Sequence, residues 1–170
     1  ITTTPLQAVL VYASLANGGS IIKPSLIKNT KNNKIKRLVS EKTSIEIINI
    51  LRKVVTDKNG TASLADVDGY YIGGKTGTSQ NYNNKNENLN TFISVFPSQK
   101  PKYALLVMLE NPKVAKDLIY DYRGLKIKGT RNEAGWNSVY VTGKIIEKIG
   151  PILAIKSKDF NNHYVAESIN

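Results

Sequence analysis

The chain has 170 residues, no cysteine, and 24 Lys and Arg against 13 Asp and Glu, a formal net charge of +11. That length suits one domain or part of a larger one, and 41% apolar residues exclude disorder over most of it. A disulfide framework and a cysteine-ligated zinc site are excluded, the lone His163 argues against a Ser-His-Asp triad or a multi-histidine metal centre, and no apolar run is long enough to span a bilayer.

The elements follow in chain order. Thr4-Pro5-Leu6-Gln7 predicts a capped helix start, with Gln7 completing a capping box and Pro5 suited to the first helical position. Leu6, Val9, Leu10 and Ala13 give that helix an apolar face, and Asn17-Gly18-Gly19 ends it. Ser20 to Lys28 predicts an edge strand containing Pro24, Lys31 to Lys34 a turn, and Ile35 to Val39 a second short strand. Thr43-Ser44-Ile45-Glu46 predicts another capping box, followed by Ile47, Ile48, Leu51, Val54 and Val55 at helical spacing and by Gly60 as the stop. Tyr70 to Ser79 predicts a strand, Gln80 to Asn90 an exposed Asn-rich loop, and Thr91 to Phe96 with Tyr103 to Leu109 a hairpin. Residues 111–135 read as irregular, Val139 to Leu153 as a final helix, and 156–170 as a polar tail. This order predicts an α+β fold, an antiparallel sheet flanked by helices, over residues 1–155.

Twenty of the basic residues are Lys, spread along the chain with no run of five. Such a surface gives no nucleic-acid signature, and no nucleic-acid partner, metal or cofactor is expected. The chain opens on Ile1 and its sole methionine is Met108, which predicts a fragment whose targeting segment lies upstream.

The informative stretch is Gly73-Gly74-Lys75-Thr76-Gly77-Thr78-Ser79. Gly69 to Thr76 satisfies the phosphate-loop pattern G-x-x-x-x-G-K-[ST], but that loop must open a helix, and Gly77 followed by an Asn-rich run opens none. The other reading is a Lys-Thr-Gly strand. Lys75 offers a fixed cation for a ligand carboxylate, Thr76 and Thr78 at alternate positions share a face, and Gly74 and Gly77 leave room for close backbone approach. A backbone N–H at Thr78 is suited to stabilise an oxyanion. Chance alone predicts about 0.2 such tripeptides in this composition, so the flanks matter.

Those flanks are Tyr12-Ala13, Leu15 to Gly19 and Lys23-Pro24 upstream, Gly60-Thr61-Ala62, then Phe92 to Pro97, Glu110-Asn111-Pro112 and Gly135-Trp136-Asn137. In this order they resemble the C-terminal half of a monofunctional (class B) penicillin-binding transpeptidase domain, most nearly the cell-division member. The resemblance implies a peptidoglycan D,D-transpeptidase that works through an acyl-serine and binds β-lactams, acting at the periplasmic face of the inner membrane. Lys75 and the Thr78 N–H are the implied catalytic groups, and Gly74, Thr76, Gly77 and Thr78 the implied substrate-binding residues. The D-Ala-D-Ala stem peptide, β-lactams and proteins of the division complex are the implied partners. A carboxypeptidase or β-lactamase-like hydrolase shares the same motif, and a non-catalytic module of a division complex is the reading of another class.

The family's nucleophile stands in Ser-x-x-Lys on a helix start, upstream of a Ser-x-Asn. Ser20 to Lys23 and Ser25 to Lys28 match the first pattern, but chance predicts about 1.4 matches and both sit in a Pro-containing extended stretch. Ser79-Gln80-Asn81 matches the second pattern but follows Lys-Thr-Gly. No nucleophile is therefore expected in this chain. Trp136 reads as a packing or turn anchor, Asp66 and Asp68 as solvent-exposed, Arg123 and Arg131 as solvated loop residues, and His163 as part of the tail.

Overall fold

The computed structural model of the chain describes residues 3–27, 36–80 and 87–156. Helix α1 spans Pro5–Ala16, and its capping box forms as expected: Thr4 Oγ1 accepts from the Gln7 N–H at 3.2 Å and Gln7 Oε1 from the Thr4 N–H at 2.8 Å. Gly18 and Gly19, both at positive φ, then turn the chain.

The two short strands expected at 20–28 and 35–39 reduce to a single bridge between Ser20 and Arg37. The Ile21 N–H donates to the Lys36 carbonyl at 2.8 Å and the Leu38 N–H to the Gly19 carbonyl at 2.8 Å. Pro24 has no N–H to extend such a ladder, and Leu26 and Ile27 are exposed. The turn expected at 31–34 lies outside the described residues.

Helix α2 spans Glu41–Thr56. Its cap is Ser40, whose Oγ accepts from the Thr43 N–H at 3.1 Å, so the helix starts one turn before the expected cap at Thr43. The early turn is polar and carries no apolar period, which hides it in the sequence. The apolar face is as expected, with Ile48, Leu51 and Val55 buried. Asp57 caps the C-terminus, and Gly60 closes the next turn through its N–H to the Asp57 carbonyl at 2.8 Å. A single 3₁₀ turn follows at Ser63–Ala65.

The sheet is three antiparallel strands, β1 Gly73–Gln80, β2 Asn88–Phe96 and β3 Tyr103–Glu110, in the order β1-β2-β3. The β2–β3 hairpin falls where the sequence puts it. Strand β2 begins at Asn88, three residues before the expected Thr91, because pairing on both sides overrides the low strand propensity of Asn. Residues 81–86 of the expected loop lie outside the described residues.

Residues 111–135, expected to be irregular, hold a second hairpin, β4 Ile119–Tyr122 with β5 Leu125–Lys128. Its two-residue turn is Arg123-Gly124, with φ of 55° and 78°, the left-handed pair that a tight hairpin needs. Asp121 Oδ1 accepts from the Gly124 N–H at 3.0 Å, and Lys126 Nζ lies 2.8 Å from Asp121 Oδ2, which holds this exposed carboxyl below its usual range.

Helix α3 spans Ser138–Lys156, close to the expected 139–153. Along β2, alternate residues divide the core. Phe92 and Phe96 join Ile72, Val139 and Ile146 beneath α3, while Val95 packs with Ile48 and Leu51 of α2 and with Tyr12 and Leu15 of α1. The result is the expected α+β arrangement of an antiparallel sheet between helices. Residues 157–170, including His163 and most of the expected tail, lie outside the described residues.

The position of the α2 cap is directly testable. Ser40→Ala should destabilise the protein by about 1 kcal/mol, and Thr43→Ala, which keeps the Ser40 oxygen, by less. Urea denaturation midpoints give the order, and the reverse order would return the cap to Thr43.

Candidate active site

Strand β1 is drawn tightly into the fold at its N-terminal end. A Cβ at Gly73 would stand 3.0 Å from the Arg52 nitrogen of α2, and one at Gly74 would stand 2.5 Å from the Ile93 carbonyl oxygen and 2.6 Å from the Phe92 ring. These are packing requirements on the two glycines, so the close approach at Gly74 is to the protein itself. Arg52 donates to the Ile72 carbonyl at 2.8 Å and pairs with Asp66 Oδ1 at 2.8 Å, clamping the entry to the strand. Asp66 is thus an ion-pair partner and not only a solvated group, whereas Asp68 is exposed as expected.

The register then sorts the motif. Lys75 opposes Ile93 and Gly77 opposes Thr91, while Thr76 opposes Phe92 and Thr78 opposes Asn90. Thr76 and Thr78 share a face as the spacing predicts, and Lys75 is on the other. All three can meet one ligand only at the open edge of β1, the side away from β2.

The hydroxyls are oriented by neighbours far away in sequence. Thr76 Oγ1 lies 3.0 Å from Thr61 Oγ1, so the Gly60-Thr61-Ala62 segment is brought directly to the motif. Thr78 Oγ1 accepts from the Ala134 N–H at 3.1 Å. Lys75 Nζ donates to the Thr76 carbonyl at 2.9 Å, and among the described residues no carboxylate pairs with it. Its remaining N–H donors face solvent beside the strand edge. Beyond Thr76 the chain continues as strand through Gln80, so no helix N-terminus stands behind Lys75, and a phosphate-loop geometry is absent there.

Gly77 differs from the sequence expectation. A Cβ there would stand 2.6 Å from Thr91 Oγ1, a hydroxyl that itself reaches toward the Gly77 carbonyl at 3.4 Å. The space kept open by this glycine is shared with a cross-strand neighbour and is not reserved for a ligand.

A loop that sequence reading left irregular frames the other side of the site. Asn90, fully buried on β2 opposite Thr78, donates through Nδ2 to the Asn132 carbonyl at 2.6 Å. Asn137 Nδ2 reaches the same carbonyl at 3.3 Å, and Asn132 Nδ2 donates to the Pro112 carbonyl at 2.6 Å. A Cβ on Gly135 would stand 2.6 Å from the Thr61 carbonyl oxygen, so the loop is seated against the Thr61 segment. Trp136 anchors this loop as expected, stacked on Tyr122 and edge-on to Tyr120. Arg131 and Arg123 are exposed as expected; Arg131 also lies over the indole with its guanidinium carbon 5.4 Å from the ring centre, and Arg123 donates to the Asp57 carbonyl.

Neither serine of the two Ser-x-x-Lys matches opens a helix, and the Ser-x-Asn match begins on the motif strand. Ser20 is in the isolated bridge and Ser25 in a short turn with Ile27, neither on a helix. Ser79 is on β1 itself, past the motif. A separate cleft of about 480 Å³, lined in part by Asn17, Arg37, Glu41 and Lys100, sits near the β2–β3 turn, at the end of the sheet away from Thr78.

Comparison with known proteins adds to this geometry. The family model of the penicillin binding protein transpeptidase domain matches residues 1–131. A probable peptidoglycan D,D-transpeptidase FtsI of Caulobacter vibrioides is 30% identical over 169 residues, covering 91% of this chain and 27% of that protein. The stage V sporulation protein D of Bacillus subtilis is 29% identical over 174 residues, covering 93% of this chain and 24% of that protein. Among solved structures, the transpeptidase domain of the FtsI4 D,D-transpeptidase from Legionella pneumophila matches with a TM-score of 0.59 at 26% identity, over 86% of this chain and 47% of that one. The chain therefore spans about a quarter of the length of these curated relatives.

The shared space at Gly77 yields a double-variant test. Gly77→Ala must rotate the Thr91 hydroxyl and break its contact, at a cost of about 1 kcal/mol, and Gly77→Val should cost more. In a Thr91→Ala background, Gly77→Ala should cost almost nothing. Melting temperatures of the four proteins measure this coupling; equal costs in both backgrounds would show that the strand does not have this register.

Proposed function

This chain belongs to the penicillin binding protein transpeptidase domain family, and from that premise we propose that it supplies the Lys-Thr-Gly wall of a peptidoglycan D,D-transpeptidase of the septal, cell-division kind. The observation that carries the reading is that Lys75, Thr76 and Thr78 lie on one edge strand, with the two threonines on one face and Lys75 on the other, beside an edge that β2 does not cover.

In this reading a peptide lies along that edge as an added strand. Lys75 holds the terminal carboxylate and the proton network around the nucleophile, and Thr76 and Thr78 donate hydrogen bonds to the carboxylate. The Thr78 N–H is one of two oxyanion donors. A serine hydroxyl from another part of the parent protein attacks the carbonyl of the penultimate D-Ala in D-Ala-D-Ala. The terminal D-Ala leaves with the proton taken from the serine, and an amine of a second stem peptide then displaces the serine from the ester. β-Lactams enter as mimics of the D-Ala-D-Ala end and stay as the acyl-serine.

The fold unit is residues 1–155 together with that nucleophile-bearing part, working at the periplasmic face of the inner membrane beside proteins of the division complex. A carboxypeptidase or β-lactamase-like hydrolase would use the same wall with water in place of the amine. The transpeptidase names of the relatives favour the amine.

Fluorescent penicillin should label the full-length parent at one serine outside this chain, and Lys75→Ala should slow labelling by about 10²-fold or more. A parent that is never labelled would refute the acyl-serine reading. The isolated 170-residue chain should show no mass increase with penicillin; stoichiometric acylation at Ser20 or Ser25 would prove that the nucleophile had been misassigned.

A further inference from the structure

We propose that Asn90 is a positioning residue that sets the polarity of the Thr78 hydroxyl. The proposal rests on the reading of Thr78 as a ligand-binding group.

A hydroxyl has one hydrogen to give and two lone pairs to receive with, and it rotates to suit its neighbours. At Thr78 that freedom is reduced. The Ala134 N–H donates to Oγ1 at 3.1 Å, so one lone pair is occupied and the hydroxyl hydrogen must point elsewhere. Thr78 is exposed at the open edge of β1, where a ligand carboxylate would accept that hydrogen. The hydroxyl is thereby biased toward donating, the polarity an anionic ligand requires.

The direction of the Ala134 N–H depends on the loop that carries it, and the loop is tied down by Asn90. The side chain of Asn90 is fully buried, opposite Thr78 in the β1–β2 register, and its amide donates to the Asn132 carbonyl at 2.6 Å. Asn137, at the entrance to α3, holds the same carbonyl from the other side at 3.3 Å. Ala134 is itself buried, and its carbonyl accepts from Ser138 Oγ at 3.1 Å, which completes the loop's attachment to α3. The path from Asn90 to the Thr78 hydroxyl is thus two hydrogen bonds joined by residues 132–134.

Packing alone does not account for an asparagine here. Asn90 Oδ1 has no hydrogen-bond partner among the described residues although it is buried, an unfavourable state that an aliphatic side chain of similar size would avoid. What the amide adds is a donor short enough to reach the Asn132 carbonyl from a central strand.

The test uses the full-length parent and two forms of one β-lactam, with the free carboxylate and with that carboxylate as its methyl ester. Binding and acylation constants are separated by stopped-flow. Asn90→Leu should weaken binding of the carboxylate form about tenfold, the effect of one charge-assisted hydrogen bond, and leave the ester form unchanged. In a Thr78→Val background the same substitution should add nothing. Asn137→Ala, which loosens the Asn132 carbonyl from the other side, should give the same pattern and stands in if Asn90→Leu fails to fold. Equal losses for the two forms, or equal losses with and without the Thr78 hydroxyl, would make Asn90 a merely structural residue and overturn the proposal. If Thr78→Val alone does not discriminate the carboxylate from the ester, Thr78 is not a ligand group, and the reading beneath the proposal falls with it.

Discussion

The side chains of a strand alternate between two faces, and everything at this site depends on how β1 escapes that rule. Lys75 and the pair Thr76 and Thr78 belong to opposite faces of the sheet. In a central strand they would never meet. At an open edge the side chains of both faces can lean past the backbone and reach a ligand running alongside it, and the backbone groups turned away from β2 become available too. A ligand-binding tetrapeptide of this composition therefore needs an edge strand, and the order β1-β2-β3 provides one among the described residues.

Holding that strand in place requires close approaches on its covered sides. Gly73 and Gly74 let the backbone sink against α2 and the Phe92 ring, and the Arg52 guanidinium, held by Asp66, takes the Ile72 carbonyl. This end of the strand is buried, while the end carrying Thr78 is exposed. The exposed end is shaped by segments from elsewhere: Thr61 on the Thr76 hydroxyl, the Ala134 N–H on the Thr78 hydroxyl, and Thr91 in the space beside Gly77. Preorganisation of this kind sets donor directions before a ligand arrives and avoids reorganisation when charge develops.

Much of this was legible in the sequence. Helical periodicity located α1, α3 and the apolar face of α2, and a capping box fixed the start of α1, because those signals are local. The motif strand and the β2–β3 hairpin were legible for the same reason. What was hidden either carries a weak local signal or depends on partners distant in the chain. Ser40 caps α2 from a polar turn with no period of its own. Arg123-Gly124 is a usable tight turn, but its flanking strands of four residues each are too short to stand out from a loop. Asn88 to Asn90 read as loop by composition, yet pairing on both sides makes them strand and buries Asn90. The strands expected around Ser20 and Arg37 are cut short among the described residues: Pro24 has no N–H to pair, and Leu26 and Ile27 are exposed. At Gly77 the motif gave the correct residue and an incomplete reason, since the nearest atom is Thr91 Oγ1.

The proposed function requires one open strand edge to gather Lys75, Thr76 and Thr78 on a ligand carboxylate and to offer the Thr78 N–H to the reacting carbonyl. A crystal structure of the full-length parent acylated by a carboxylate-bearing β-lactam measures this most directly. The carboxylate is expected within hydrogen-bond distance of at least one of the two hydroxyls and near the Lys75 ammonium, with the ester carbonyl oxygen on the Thr78 N–H. An acyl group lying away from β1, or a carboxylate bound without any of these three side chains, would contradict it.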